Sequence, residues 1–219
     1  MASTTYLTLV NSVLKRLREK TVTSISQNQY SQLIGEFVND AKREVEDAWN
    51  WDALRSTYSF NTISGTVSYT ITGSGSKARI LSAYNDTEDW FLEYRPSIYF
   101  DEMLLLNDTV QEGGPEVYNP NGIDANGDLI VVVYPQPNSV QTIRFNLVVP
   151  ETELVNDTDE TKLSKLAIVQ LAHAKAIEER GEDGGIGVNS QYAVAKQSLA
   201  DAIAIEAGRR PDETNWAWV

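Results

Sequence analysis

The spacing of apolar side chains changes period twice along the chain. Tyr6, Leu7, Val10, Val13, Leu14 and Leu17 recur at three- and four-residue steps, with Lys15, Arg16, Arg18 and Glu19 between them, which predicts a helix over residues 5–20. A second stripe, Tyr30, Leu33, Ile34, Phe37, Ala41, Val45, Ala48 and Trp49, predicts a longer helix, with Ser26 and Gln29 in capping-box spacing ahead of it. Gln32, Glu36, Asp40, Arg43, Glu44 and Asp47 fall largely off that stripe. Helix gives way to strand at Ala48-Trp49-Asn50-Trp51-Asp52-Ala53-Leu54-Arg55.

Beyond Leu54 the period falls to two. Tyr58 and Phe60 alternate with Thr57, Ser59 and Asn61, and Val67, Tyr69 and Ile71 with Ser68, Thr70 and Thr72, across a hairpin turn at Ser64-Gly65. Further strands are predicted over 78–84 and 89–94, while 97–106 fits either a short helix or an extended segment. Residues 129–134 are continuously apolar, the pattern of a strand buried on both faces, and 140–149 place Ile143, Phe145, Leu147 and Val149 on one side. Pro135, Pro137 and Asn138 turn the chain between these two strands.

Helical spacing then returns. Asp159 or Thr161 caps a predicted helix carrying Leu163, Leu166, Ala167, Leu171, Ala174 and Ile177, which stops at Gly181. After a Gly-rich loop over 181–187, a last helix starts near Asn189, presents Tyr192, Ala195, Leu199, Ala202 and Ile203, and stops at Gly208. The expected fold is α+β: a helical bundle formed from the N- and C-terminal helix pairs (1–55 and 156–210), an inserted antiparallel β-sandwich-like domain (56–155), and a tail (211–219).

Composition narrows the chemistry. Cysteine is absent, which excludes disulfides, thiolate metal sites and cysteine nucleophiles. No stretch approaches the roughly 20 apolar residues of a membrane helix, and the N-terminus lacks the basic-then-apolar pattern of a secretory signal. The net charge of −13 is uneven: residues 1–55 hold seven charges of each sign, whereas residues 56–155 hold 4 basic against 13 acidic. An acidic middle argues against gripping phosphates, which takes clustered Lys and Arg, and suits a surface that DNA passes without sticking. A solvated acidic face is the simpler reading.

Candidate sites are few. His173 is the only histidine, so a His-based triad or multi-His metal site has at most one participant, and its place beside an apolar stripe favours packing. Asp124-Ala125-Asn126-Gly127-Asp128 resembles a calcium loop only briefly, because Leu129 and Pro135 stand where an EF-hand needs Gly and Glu; it reads as a turn. Gly73-Ser74-Gly75-Ser76-Lys77 lacks both the first Gly and the Ser/Thr of a phosphate loop, and reads as a strand connection. The pairs Glu178/Glu179 and Glu182/Asp183 read as solvated charge. No cofactor and no metal is expected. The tail is different, for it carries Trp216 and Trp218 just before Val219. Exposed Trp is unfavourable and Trp is enriched where proteins meet, so the tail either docks on another subunit or partner or folds back onto its own domain.

Several of these elements, in this order, resemble the head-to-tail adaptor proteins of short-tailed bacteriophages, the tail tubular protein A-like family. They are Trp49-Asn50-Trp51-Asp52-Ala53 closing the second helix, the Tyr69-Thr70-Ile71 strand, Arg79-Ile80-Leu81, and Tyr134-Pro135-Gln136-Pro137-Asn138 ending a strand. Leu171-Ala172 and the Tyr192, Ala195, Leu199, Ala202 series are similar to the family's paired C-terminal helices. The likeness runs from about residue 5 to 205, and departs from the family where Gly73–Lys77 replaces a Pro-Asp pair.

The resemblance implies a structural virion protein with no enzymatic activity, sited at the head–tail junction and assembled in the host bacterial cytoplasm. It implies a homo-oligomeric ring, a dodecamer in the virion, which binds the portal protein, joins it to the tail nozzle protein and lets DNA pass without specific binding. On this reading Arg209, Arg210, Trp216, Trp218 and Val219 reach out to dock on the portal, and the acidic middle contributes to the channel wall. The alternative is a tail-associated receptor- or carbohydrate-binding module, with Trp90, Phe91 and Tyr94 as a stacking platform. A carboxylate hydrolase is a third reading, disfavoured because no acid/base pair can be singled out.

Overall fold

A computed structural model of the chain describes residues 4–106, 109–181 and 186–209. In chain order the elements are β1 (Thr4–Thr5), α1 (Tyr6–Arg16), α2 (Gln29–Ala48), β2 (Arg55–Asn61), β3 (Ser68–Ile71), β4 (Arg79–Asn85), β5 (Trp90–Tyr94), α3 (Ser97–Asp101), β6 (Val117–Ile123), β7 (Leu129–Tyr134), β8 (Thr142–Val148), β9 (Glu160–Thr161), α4 (Lys165–Arg180) and α5 (Ile186–Ala207). They fall into two compact units: residues up to Ala53 together with those from Glu151 onward, and Leu54–Pro150.

In the helical unit, α1 is capped by the Thr5 hydroxyl, and the free N–H groups of Tyr6 and Leu7 donate to the carbonyls of Asp159 and Asp157. The same return segment pairs β9 with β1 in antiparallel register. At α2 the capping box is Asn28 with Ser31, not Ser26 with Gln29, because residues 25–27 form a separate 3-10 turn. Trp51, 1% exposed, folds back and donates its indole N–H to the Val45 carbonyl at 2.7 Å. It thereby satisfies one of the last carbonyls of α2, which have no partner within the helix. At α4 the cap is Ser164; Asp159 and Thr161, the expected caps, lie in and beside the short strand β9. α5 begins at Ile186, ahead of the expected Asn189.

The α+β class holds, but the expected bundle of an N-terminal and a C-terminal helix pair does not. α4 packs against both α1 and α2, and α5 packs along α4. The arrangement is a three-helix cluster with one helix added to its central member. The residues of α4 explain it: Ala167, Ile168, Val169, Leu171, Ala172, Ala174 and Ala176 are all buried, more than a single face can account for, and the alanines let two neighbours approach. The fifth helix, α3, belongs to the other unit.

The expected antiparallel sandwich is also overturned. Seven strands make one sheet in the order β2-β8-β4-β5-β6-β7-β3, and the β5–β6 pair is parallel, Glu93 with Val117 and Tyr94 with Tyr118. The two edges come together, with the rings of Phe60 on β2 and Tyr69 on β3 stacked at 4.6 Å, so the sheet is nearly closed on itself. Closure puts one face of every strand inside a single core that contains Ile71, Ala83, Leu92, Tyr118, Val131, Ile143, Phe145 and Leu147. Val132 and Tyr134 point the other way and are covered by Phe100 of α3, so β7 is buried on both faces. Residues 97–106 are helical, α3 running into a wider π-type turn at Glu102–Leu106.

Candidate interaction surfaces

The loops that resembled ligand sites are closed by the protein's own groups. One carboxylate oxygen of Asp124 accepts from the backbone N–H groups of Asn126 and Asp128, each at 2.8 Å, which makes residues 124–128 an Asx-type turn. Asp128 in turn accepts from the backbone of Gly73, Ser74 and Gly75, which holds its carboxyl below the usual value. The amides that a phosphate would need are therefore spent on a carboxylate, and Ser74 is buried with its hydroxyl accepting from Leu129 N–H. His173 is half-buried on α4; its Nδ1 has no hydrogen-bond partner among the described residues, and burial, helped by Arg16, lowers its pKa. Among the described residues no group of three or more His, Asp or Glu converges as a metal site, and no helix is long and apolar enough to cross a membrane.

The proposed aromatic platform is divided. The Trp90 indole N–H donates to the Pro115 carbonyl at 2.8 Å and the ring packs against the sheet core. Phe91 is on the opposite face, edge-on to Tyr84, and Tyr94 is edge-on to Tyr118. Of the tail residues, Arg209 is tied down: its guanidinium pairs at 3.1 Å with Glu206, a carboxylate only 2% exposed that also accepts the Asp52 N–H at 2.7 Å. Arg210, Trp216, Trp218 and Val219 lie outside the described residues.

Three surface features went unread in the sequence. In the sheet unit, Ile98, Leu105 and Leu106 are each at least 75% exposed around α3 and its π-type turn, beside a depression of about 240 Å³ floored by Phe100 and Val132. In the helical unit, a depression of about 590 Å³ lies between the start of α1, α2 and the return segment. Its walls carry Glu36, Asp40, Glu153 and Asp157, none of them ion-paired among the described residues, and no Lys or Arg. Burial, with the nearby carboxylates of Glu153, Glu36 and Asp157, pushes the Tyr6 phenol in that wall up to about 12. On another side of α1, toward α4, a depression of about 450 Å³ is bounded by Lys15, Arg16 and Lys165, with Leu166 and Val169. Glu36 and Asp40, one turn apart on α2, were legible as one face. Their meeting with residues 153–157 was not, because it depends on where the chain returns.

The family model described as SU10 adaptor protein matches residues 4–216. Among curated proteins, none matches the chain.

Proposed function

The chain belongs to the SU10 adaptor protein family, structural adaptors of the bacteriophage virion, and on that footing we propose that it is the ring that joins portal to tail nozzle. The observation that carries this reading is the family match across almost the entire chain. The fold supports it in kind: the pocket-like loops are occupied by the protein's own hydrogen bonds, while both units present exposed surfaces suited to protein contacts. An adaptor has to bind along its axis and to its own copies, and needs no reactive group.

Copies assemble on the portal into a ring, the tail beyond Arg209 docks on the portal, and the nozzle protein binds the opposite end. The sheet unit holds 5 basic against 11 acidic residues over 54–150 and contributes carboxylates to the channel wall, past which DNA moves without being gripped. Native mass measurement of the purified protein, alone and with purified portal, tests the reading. A discrete higher-order ring appearing with portal is the expected result, and a protein that never associates with portal overturns it.

A further inference from the structure

Two depressions of the helical unit flank α1, share no lining residue and carry opposite charge. The one toward α4 has an aliphatic floor with Leu166, 53% exposed, among three cations, Lys15, Arg16 and Lys165. Ser12 and Lys15 lie on the side of α1 turned away from Tyr6, with Arg16 on its flank. The one toward α2 mirrors this chemistry: Val155, 73% exposed, stands among Glu36, Asp40, Glu153 and Asp157. Neither set of charges is neutralised by ion pairs among the described residues. By contrast, Lys175 and Arg180 on the same α4 are paired, with Glu44 and Glu19. Each patch therefore has an aliphatic centre and a charged rim, and each matches the other in sign.

We propose that the cation-rimmed groove between α1 and α4 is a docking site for a second copy of this chain, whose carboxylate-rimmed groove beside α2 receives it. The two patches are different surfaces of one molecule, so the contact is head-to-tail: every copy uses one patch on each neighbour, and the series closes into a ring when the rotation between copies divides the circle. Exposed charge pairs contribute little each and are screened by salt. Free copies consequently associate weakly, and the contact becomes persistent when another component holds many copies side by side. This deepens the ring reading above and rests on it.

Charge reversal tests the pairing. Glu36→Lys, Asp40→Lys and Glu153→Lys leave only Asp157 of the four carboxylates and make both patches basic; Lys15→Glu with Lys165→Glu outweighs Arg16 and makes both acidic; all five substitutions together exchange the signs. All five positions are exposed, and circular dichroism melts check that each variant folds. Native mass and sedimentation, at low and high salt and with and without portal, read the assembly. The expected result is loss of the ring in each single-patch variant and its return in the five-site variant and in an equal mixture of the single-patch variants. Rings that persist in both single-patch variants, or a folded five-site variant that fails to assemble while wild type does, overturn the pairing and leave the adaptor reading standing. A wild-type protein that never associates with itself, with or without portal, overturns both.

Discussion

The least expected residues are a buried ion pair on α2. Lys42 and Glu46, 4% and 5% exposed, meet at 2.8 Å; Lys42 also donates to the carbonyls of Glu151 and Thr152, and Glu46 accepts the Glu151 N–H at 3.1 Å. Together they fasten the chain where it re-enters the helical unit. Lys42→Met removes the counter-ion of a buried carboxylate, so unfolding by urea is expected to show a loss of about 3–5 kcal/mol. Adding Glu46→Leu recovers only part of that loss, because the two carbonyls remain without their donor. Burial outweighs Lys42 and raises the Glu46 pKa, so its share of stability is present below the ordinary carboxylate value and is lost as pH rises through the folded value. His173 acts with the opposite sign. Its folded pKa lies below 6.5, so its share is complete above 6.5 and is lost as pH falls from there toward the folded value. Since it is the only histidine, His173→Gln is expected to flatten the decline of stability as pH falls below 6.5. An unchanged slope in the variant would mean that the group titrates as it does in the unfolded chain.

Between elements, the closest fit is Gly35 of α2 under Tyr6 of α1. A Cβ on residue 35 would sit 2.5 Å from the Tyr6 hydroxyl and 3.2 Å from Ile25 Cγ2. Gly35→Ala gains up to about 1 kcal/mol of helix propensity, yet is expected to lower stability by about 1–3 kcal/mol through the clash. Tyr6→Phe in the same chain removes the nearest atom and should return part of the loss, a coupling that a double-mutant cycle of thermal melts reads directly. Such contacts mark where the sequence stopped being legible. The periodicity located α1, α2 and the strands β2, β3, β7 and β8, because each buries one regular face, or in β7 both. It misplaced the caps of α2 and α4, since Ser26 falls in a separate 3-10 turn, Thr161 pairs with Thr4 in a short strand, and the Asp159 carboxylate accepts from the backbone of Val155 and Asn156. On α4 it marked one stripe, with Ala167 and Ala174 among its core positions, and left out Ile168, Val169, Ala172 and Ala176, which are also buried because α4 meets neighbouring helices on more than one side. The single nearly closed sheet was hidden because alternation names the buried face of a strand but not its neighbour, and nothing local in the sequence marks β5 and β6 as a parallel pair. Of the candidate sites, Arg209 was visible as a charge but its buried partner Glu206 was not.

For the whole molecule, that partner decides how the proposed portal contact should be tested. A truncation after Gly208 removes Arg209 together with the tail and strands Glu206, which is buried and otherwise accepts only from Asp52 among its described contacts. Weakened portal binding by that variant would mix lost docking with a loosened α5. A truncation after Arg209 keeps the Glu206 clamp and deletes Arg210, Trp216, Trp218 and Val219. Melts of the two are expected to separate them, the shorter variant being less stable than the longer by about 1–3 kcal/mol. If the tail is the portal anchor, both fail to be retained on immobilised portal, although the longer one keeps the Glu206 clamp. Retention of the longer variant at wild-type strength would place the portal contact elsewhere on the protein. The lateral contact between copies predicts a different pattern, sensitive to salt and to the charges of Lys15 and Glu36 but indifferent to the tail. Axial and lateral adhesion can thus fail separately in one set of variants.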